Sequence, residues 1–170
     1  MGGRSMIDAV KKEFNFEAEM NKYMKIYYDY CGYKYDFRGN RKKDIQLFYG
    51  NVEISVEHKY RKVEYNDILV EILQDMVSFY SSSETAKGWL YECEADSLFY
   101  IICKEVEDII RPVYFYDIQF KLFRNWLFNW LKVNKGTYRT SVGGWGVTLN
   151  LAIPINVIPS DLLKKYEIPN

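Results

Sequence analysis

Two acids and a lysine stand in the sequence where one β-hairpin would bring them together. Asp44 opens a run of alternating character, residues 44–49, and Glu57 and Lys59 close a second run, residues 52–59. The Gly-Asn pair between the runs is a signal for a two-residue hairpin turn. A two-residue turn pairs position i with position 101 minus i, which sets Asp44 directly across from Glu57.

The same pairing separates the faces of the hairpin. One face is apolar, with Ile45, Leu47, Tyr49, Val52, Ile54 and Val56, and the other carries Asp44, Gln46, Phe48, Glu53, Ser55, Glu57 and Lys59. Facing carboxylates repel, so this polar face needs cations: Lys59 supplies one, and Mg²⁺ or Mn²⁺ suits oxygen ligands of this kind. A bound divalent ion polarises a phosphoryl oxygen and acidifies a coordinated water, so the pattern predicts phosphodiester hydrolysis.

The spacing of these residues resembles a known nuclease motif. Asp44, twelve intervening residues and then Glu57-His58-Lys59 is similar to the D…(D/E)-x-K core of the PD-(D/E)XK nuclease superfamily, which includes restriction endonucleases and Holliday junction resolvases. The resemblance covers about residues 7–80, with Lys43 in place of the proline of the name. It implies Asp44 and Glu57 as metal ligands, the backbone carbonyl of His58 as a third oxygen ligand, and Lys59 as the catalytic lysine.

The resemblance also implies contributions from two helices. Glu17 or Glu13 would correspond to the acid of the leading helix, and Glu71 or Gln74 to a polar residue of a second helix. The implied fold is restriction-endonuclease-like, and the implied substrate is DNA.

These residues also have ordinary structural interpretations. Asp44, Glu57 and Lys59 fit a cross-strand salt bridge on a solvated sheet face. By parity His58 points to the apolar side, where a core or edge position is favoured over a general base. Glu71 and Gln74 fit the outer face of a helix as well as a site.

Charge limits how the chain meets nucleic acid. It has 23 basic and 23 acidic side chains in 170 residues, which argues against coating nucleic acid through bulk charge. Contact with phosphate must come from a local patch. The basic residues that flank the two acids predict one: Arg38, Arg41, Lys42, Lys43, Arg61 and Lys62.

The order of elements predicts one α/β (α+β) domain, residues 6–170, with a central mixed β-sheet flanked by helices. Residues 1–5 are expected to be an added leader ahead of a native Met6. Helices are predicted over 7–30, 64–80 and 116–133, and strands over 44–49, 52–59, 89–92, 97–103, 138–140 and 146–153, with a break at Arg111-Pro112.

Cysteine and aromatic content bear on compartment and partners. Three cysteines without a metal-binding spacing favour a reducing cytoplasm, and no run is apolar enough for a membrane helix. Aromatic residues make up 18% of the chain, a surplus that predicts a homodimer surface or a base-stacking platform beside the core. The first function expected is a DNA nuclease. The alternatives are an inactive binding or inhibitory protein of the same fold, and a phosphodiesterase acting on RNA or small nucleotides.

Overall fold

The structure is a computed structural model that describes residues 6–37, 43–74, 87–143 and 146–169. Within these ranges the helices are α1 (Met6–Tyr30), α2 (Trp89–Glu92) and α3 (Phe120–Trp130), with one 3-10 turn at Ile155–Val157. The strands are β1 (Lys34–Asp36), β2 (Ile45–Tyr49), β3 (Val52–Arg61), β4 (Asp67–Leu73), β5 (Ser97–Val106), β6 (Ile109–Gln119), β7 (Thr137–Gly143), β8 (Gly146–Pro154) and β9 (Leu163–Glu167).

The strands form two sheets. The larger has the order β1-β2-β3-β5-β6-β9 and is mixed, because β3 and β5 run parallel while the other neighbours are antiparallel. The smaller is antiparallel, with the order β4-β8-β7. The mixed α/β class and the mixed sheet agree with the sequence prediction. The second sheet was not predicted.

The hairpin of β2 and β3 has the predicted register. Ile45 pairs with Val56 and Tyr49 with Val52 around the Gly-Asn turn, so the paired positions sum to 101. Gly50 has a φ of 59°, the left-handed conformation that glycine adopts at little cost in such turns.

Both faces of the larger sheet are covered. On one face α1 packs through Met20, Met24 and Tyr28, which recur at helical spacing and bury the apolar side of the hairpin. On the other face the smaller sheet, α2 and α3 cover β5 and β6, and Trp89 of α2 lies against Lys59 of β3. As a result the polar side of the hairpin is also sheltered: Ser55 and Glu57 are buried.

The predicted helix over 64–80 is wrong in the residues that the structure describes. Asp67–Leu73 is the strand β4, which pairs with β8, and Ile68 and Val70 alternate into the core as a strand requires. Residues 75–80 lie outside the described ranges. The polar position expected on that helix therefore belongs, at Glu71, to a strand.

Other boundaries also differ from the prediction. Trp89–Glu92 is a single helical turn, not a strand, and β6 continues through Arg111-Pro112, where a shift in pairing between Ile102 and Cys103 accommodates the proline. The third helix begins at Phe120 because residues 116–119 still belong to β6. The strand β9, added to the sheet edge next to β6, was not predicted.

Candidate functional site

Asp44 lies where the regular ladder of the hairpin ends. Its N–H donates to the Val56 carbonyl at 3.0 Å, and its carboxylate Oδ2 accepts the N–H of His58 at 2.8 Å. The side chain thus stands where a continuing strand would present a backbone carbonyl to β3. This bond fixes the Asp44 carboxylate against the middle of β3, close to Glu57.

Glu57 and Lys59 lie two residues apart on β3 and therefore point to the same face. Lys59 Nζ is 2.7 Å from Glu57 Oε1, and the side chains are 29% and 7% exposed. The ammonium also lies 5.9 Å from the centre of the Trp89 ring. The lysine is therefore paired with a buried acid, while part of its own side chain remains accessible to solvent.

The electrostatics of the two acids show that they share one environment. Burial raises the pKa of Asp44, against the opposing effects of Lys59 and the His58 N–H. Burial likewise raises the pKa of Glu57; Lys59 opposes this and Asp44 adds to it. Burial disfavours the charge of Lys59, but Glu57 and Asp44 outweigh it and raise its pKa. A buried carboxylate, Glu57, and a half-buried one, Asp44, thus face one ammonium, an arrangement that a further cation would stabilise.

The other predicted acids divide into those near this cluster and those away from it. Glu17 of α1 raises the pKa of Glu57 through its charge, and Glu71 of β4 raises that of Lys59, so both lie within electrostatic reach. Gln74 is exposed just beyond the end of β4. The side chain of Glu13 lies outside the described part.

His58 points away from the acids into the core, as parity predicts. Its Nε2 is 2.6 Å from the Tyr28 hydroxyl, and its Nδ1 lies 3.0 Å from the Tyr60 hydroxyl and 3.2 Å from Asn21 Oδ1. Burial lowers the pKa of the imidazole to about 3, so the ring is neutral near neutral pH. Both ring nitrogens are occupied, so the imidazole is neither a metal ligand nor a general base here.

The backbone of His58 has a different orientation from its ring. Within a strand the N–H and C=O of one residue point to the same edge. Because the His58 N–H points to Asp44, its carbonyl lies on the Asp44 side as well. This agrees with the carbonyl position that the motif implies.

The donor set fits a hard divalent ion that keeps several waters. No group of three or more His, Cys, Asp or Glu side chains suited to a metal occurs in the described ranges. An ion at this place would therefore take the two carboxylates, the His58 carbonyl and water, and Mg²⁺ ordinarily accepts few protein ligands.

The predicted phosphate-binding residues fall into two sets. Arg38, Arg41 and Lys42 lie outside the described ranges, and Lys43 donates from Nζ to Gln46 Oε1 at 2.8 Å. Arg61 and Lys62, at the end of β3, line a cleft of ≈ 500 Å³ between β3, β4 and α1, which Glu17 also borders.

Several residues that support the site were not predicted from the sequence. Asp96 accepts hydrogen bonds from the backbone N–H and the hydroxyl of Ser55, at 3.0 and 2.7 Å, and its carboxylate also forms an ion pair with Lys121. Burial raises the pKa of Asp96, but these bonds outweigh it and lower that pKa to about 2. Asp96 thereby ties the start of β5 to β3. The sequence around Asp96 indicates only a turn. Its contact with Ser55 has no local pattern, because Ser55 lies 41 positions earlier in the chain.

A scan against protein-family models found no match to the chain, and searches of curated proteins and of solved structures found none either. Among the described helices, none has the length and apolar character needed to span a bilayer.

Proposed function

We propose that this chain is a metal-dependent nuclease that hydrolyses phosphodiester bonds, with DNA as its main substrate. The observation that carries the proposal is that Glu57 and Lys59 share one face of β3 and form an ion pair, while the His58 N–H holds the Asp44 carboxylate near enough to act on Glu57 through its charge. A solvated cross-strand salt bridge would leave these side chains in water, whereas Glu57 is only 7% exposed. Holding a buried acid and a half-buried acid against one lysine costs stability, and a role at a reaction centre accounts for that cost.

The proposed roles follow from the charges of the three side chains. Asp44 and Glu57 would hold Mg²⁺ or Mn²⁺, with the His58 carbonyl completing the protein ligands. When bound, the ion supplies a Lewis acid for a phosphoryl oxygen and lowers the pKa of a coordinated water. Asp44 is held in place by the His58 N–H, so little reorganisation is needed when it binds a cation.

Lys59 acts in this proposal as a fixed positive charge. Its pKa is raised by the two acids, so the ammonium keeps its proton near neutral pH. It therefore stabilises the negative charge that develops on the phosphoryl group and orients the attacking water, and does not act as a general base.

The surrounding elements support the nuclease resemblance in part. A leading helix with an acid near the site, Glu17 on α1, and a hairpin that bears Asp44, Glu57 and Lys59 agree with the layout that the motif implies. The expected second helix is replaced by β4, and Glu71 on that strand occupies the electrostatic neighbourhood of Lys59. We therefore assign the supporting polar role to Glu71 in preference to Gln74.

The test is a cleavage assay with Mg²⁺ and with Mn²⁺ on single-stranded, duplex and branched DNA and on RNA. The wild type is compared with Asp44→Ala and Lys59→Ala, which we expect to lose activity by at least about a hundredfold, as for loss of one charge-stabilising group. Lys165→Ala is the matched control. Lys165 pairs with Glu167 two residues along β9 at 2.8 Å, as Lys59 pairs with Glu57, but on an exposed edge strand.

Two outcomes would contradict the proposal. Equal activity in all four proteins would remove the site from Asp44 and Lys59. A wild type that cleaves no nucleic acid with either metal would instead favour the binding or inhibitory protein of the same fold. Thermal unfolding of each variant separates loss of chemistry from loss of folding.

A further inference from the structure

The cleft at the end of β3 has two kinds of lining side chain. The lining includes three basic side chains, Lys12, Arg61 and Lys62, and three aromatic rings, Phe16, Tyr60 and Tyr65, with Glu17 as the one acid among the described lining residues. Lys62 Nζ lies 4.0 Å from the centre of the Phe16 ring, so cation and ring already meet across the cleft. Tyr65 is 59% exposed, and the Arg139 guanidinium lies 5.3 Å from the centre of its ring.

This combination of side chains suits the phosphate and the base of a nucleotide. Cations neutralise a phosphate, and an aromatic ring offers a face on which any base can stack. Two hydrogen bonds to the Tyr100 hydroxyl support the cleft: the Arg61 side chain donates from Nε at 3.1 Å, and the Leu69 N–H of β4 donates at 3.2 Å. Tyr100 thus ties β3 to β4 beneath the lining residues.

The cleft adjoins the proposed catalytic cluster. Arg61 follows Lys59 by two residues on the same face of β3, a distance of about 7 Å along a strand. Glu17, which borders the cleft, acts on Glu57 through its charge. A strand of nucleic acid with one phosphate at Lys59 would therefore place a neighbouring nucleotide at the cleft.

We infer that the cleft binds an unpaired nucleotide next to the phosphate that is cleaved, so the substrate is DNA with a single-stranded segment at the cut. This inference rests on the proposed nuclease function. A base in a continuous duplex is stacked on both faces and cannot reach Tyr65 or Phe16 without being extruded, which costs free energy. A single-stranded tail or flap carries no such cost.

The experiment measures binding apart from cleavage. Fluorescence polarisation in Ca²⁺ is recorded with Asp44→Asn protein and three labelled DNA probes: a single-stranded oligonucleotide, a blunt duplex and the same duplex with a single-stranded tail. We expect the tailed duplex to bind about tenfold more tightly than the blunt one, the order of effect of one stacked base. Tyr65→Ala, at an exposed position, should remove most of that difference and leave blunt-duplex binding within about twofold, whereas Lys62→Ala, which loses a cation, should weaken the tailed duplex more than the blunt one.

Matched controls are Tyr138→Ala and Lys165→Ala, an exposed tyrosine and an exposed lysine on other strands, which should change nothing. Equal binding of tailed and blunt duplex, or no effect of Tyr65→Ala and Lys62→Ala, would overturn the inference even if the wild type cleaves DNA. If the wild type cleaves nothing, the proposed function fails; cleft-dependent binding of the tail would then still support a nucleotide site.

Discussion

Asp44 combines two roles that differ in their effect on stability. Its carboxylate holds the His58 N–H, which stabilises the hairpin, but its charge faces Glu57 in a sheltered place, which does not. Because the pKa of both acids is raised on folding, the folded state favours their protonated forms. Their contribution to the free energy of unfolding is therefore largest at low pH and falls as pH rises from the ordinary carboxyl pKa, about 4, through the raised values.

Asp44→Asn should separate the two roles. The amide oxygen of the substituted side chain can still accept the His58 N–H, but the negative charge is gone. Near pH 7 and without divalent ions, we therefore expect the variant to unfold at a higher temperature than the wild type. Between about pH 4 and pH 7, the variant should lose less stability than the wild type does. With about 10 mM Mg²⁺ the wild type should gain stability through binding, and the variant should not. Differential scanning fluorimetry measures all three; an equal Mg²⁺ shift in both proteins would contradict the assigned ligand.

The residues of the site differ in how far the sequence could locate them. A two-residue turn fixes the register of residues 45–49 against 52–56, and a strand alternates with period two, so the sequence alone sets Glu57 and Lys59 on one face. Asp44 was expected directly across from Glu57, but it lies just outside the paired residues: its N–H donates to the Val56 carbonyl, and its carboxylate accepts the His58 N–H. Tyr28 and Asn21 lie 30 and 37 positions from His58, and their contacts depend on how α1 docks on the sheet. No local spacing encodes that docking.

At the scale of elements, β4 shows where sequence patterning is ambiguous. Ile68, Leu69, Ile72 and Leu73 fit a helical stripe, and Ile68 and Val70 fit an alternating strand equally well. The partner strand β8, whose Leu151 pairs with Val70, decides between them, and it lies about 80 positions further along the chain. Pairing at that separation satisfies the backbone of β4 as a strand, and a local window cannot anticipate it.

Gly88 lies where the residues before α2 run close against β4. Its N–H donates to the Ile72 carbonyl at 2.8 Å, and a Cβ at this position would clash with the Glu71 carbonyl oxygen. We predict that Gly88→Ala lowers the free energy of unfolding by about 1–3 kcal/mol, as overpacking does, because backbone must move. Because the clash displaces the backbone of Glu71, whose charge acts on Lys59, the Gly88→Ala protein should also cleave DNA more slowly.

Gly136→Ala is the control for this prediction. Its added Cβ would meet Leu151 Cδ1, the end of a side chain, so the neighbour can turn without moving a strand. We expect a smaller loss of stability in urea unfolding and unchanged cleavage per folded molecule. A Gly88→Ala protein as stable as wild type would show that β4 and the loop are not held as closely as described.

For the molecule as a whole, much of the aromatic surplus belongs to the core. Phe99 and Phe115 lie 4.5 Å apart between ring centres under α1, and Trp89 packs on Phe120 at 5.5 Å on the opposite face of the larger sheet. A sheet covered on both faces needs two sets of large apolar side chains, which explains a composition that suggested a partner surface. The homodimer remains a prediction, and the exposed Tyr65 is assigned to the proposed nucleotide site.

The balanced net charge predicts a shallow dependence of DNA binding on salt. Each phosphate neutralised on a single strand contributes about −0.7 to the slope of log K against log salt, so the three cations of the cleft give about −2. We expect that value for a short single-stranded probe with Asp44→Asn protein, and a slope less steep by about 0.7 in Lys62→Ala. A longer tailed duplex that also reaches Arg38, Arg41, Lys42 and Lys43 should approach about −6, since each of these four cations adds about −0.9 on duplex DNA. Polarisation titrations over a range of salt measure the slopes. A short probe that already shows the steeper slope would place its phosphates on the basic run and not in the cleft, whereas a slope near zero would exclude ionic contact with either.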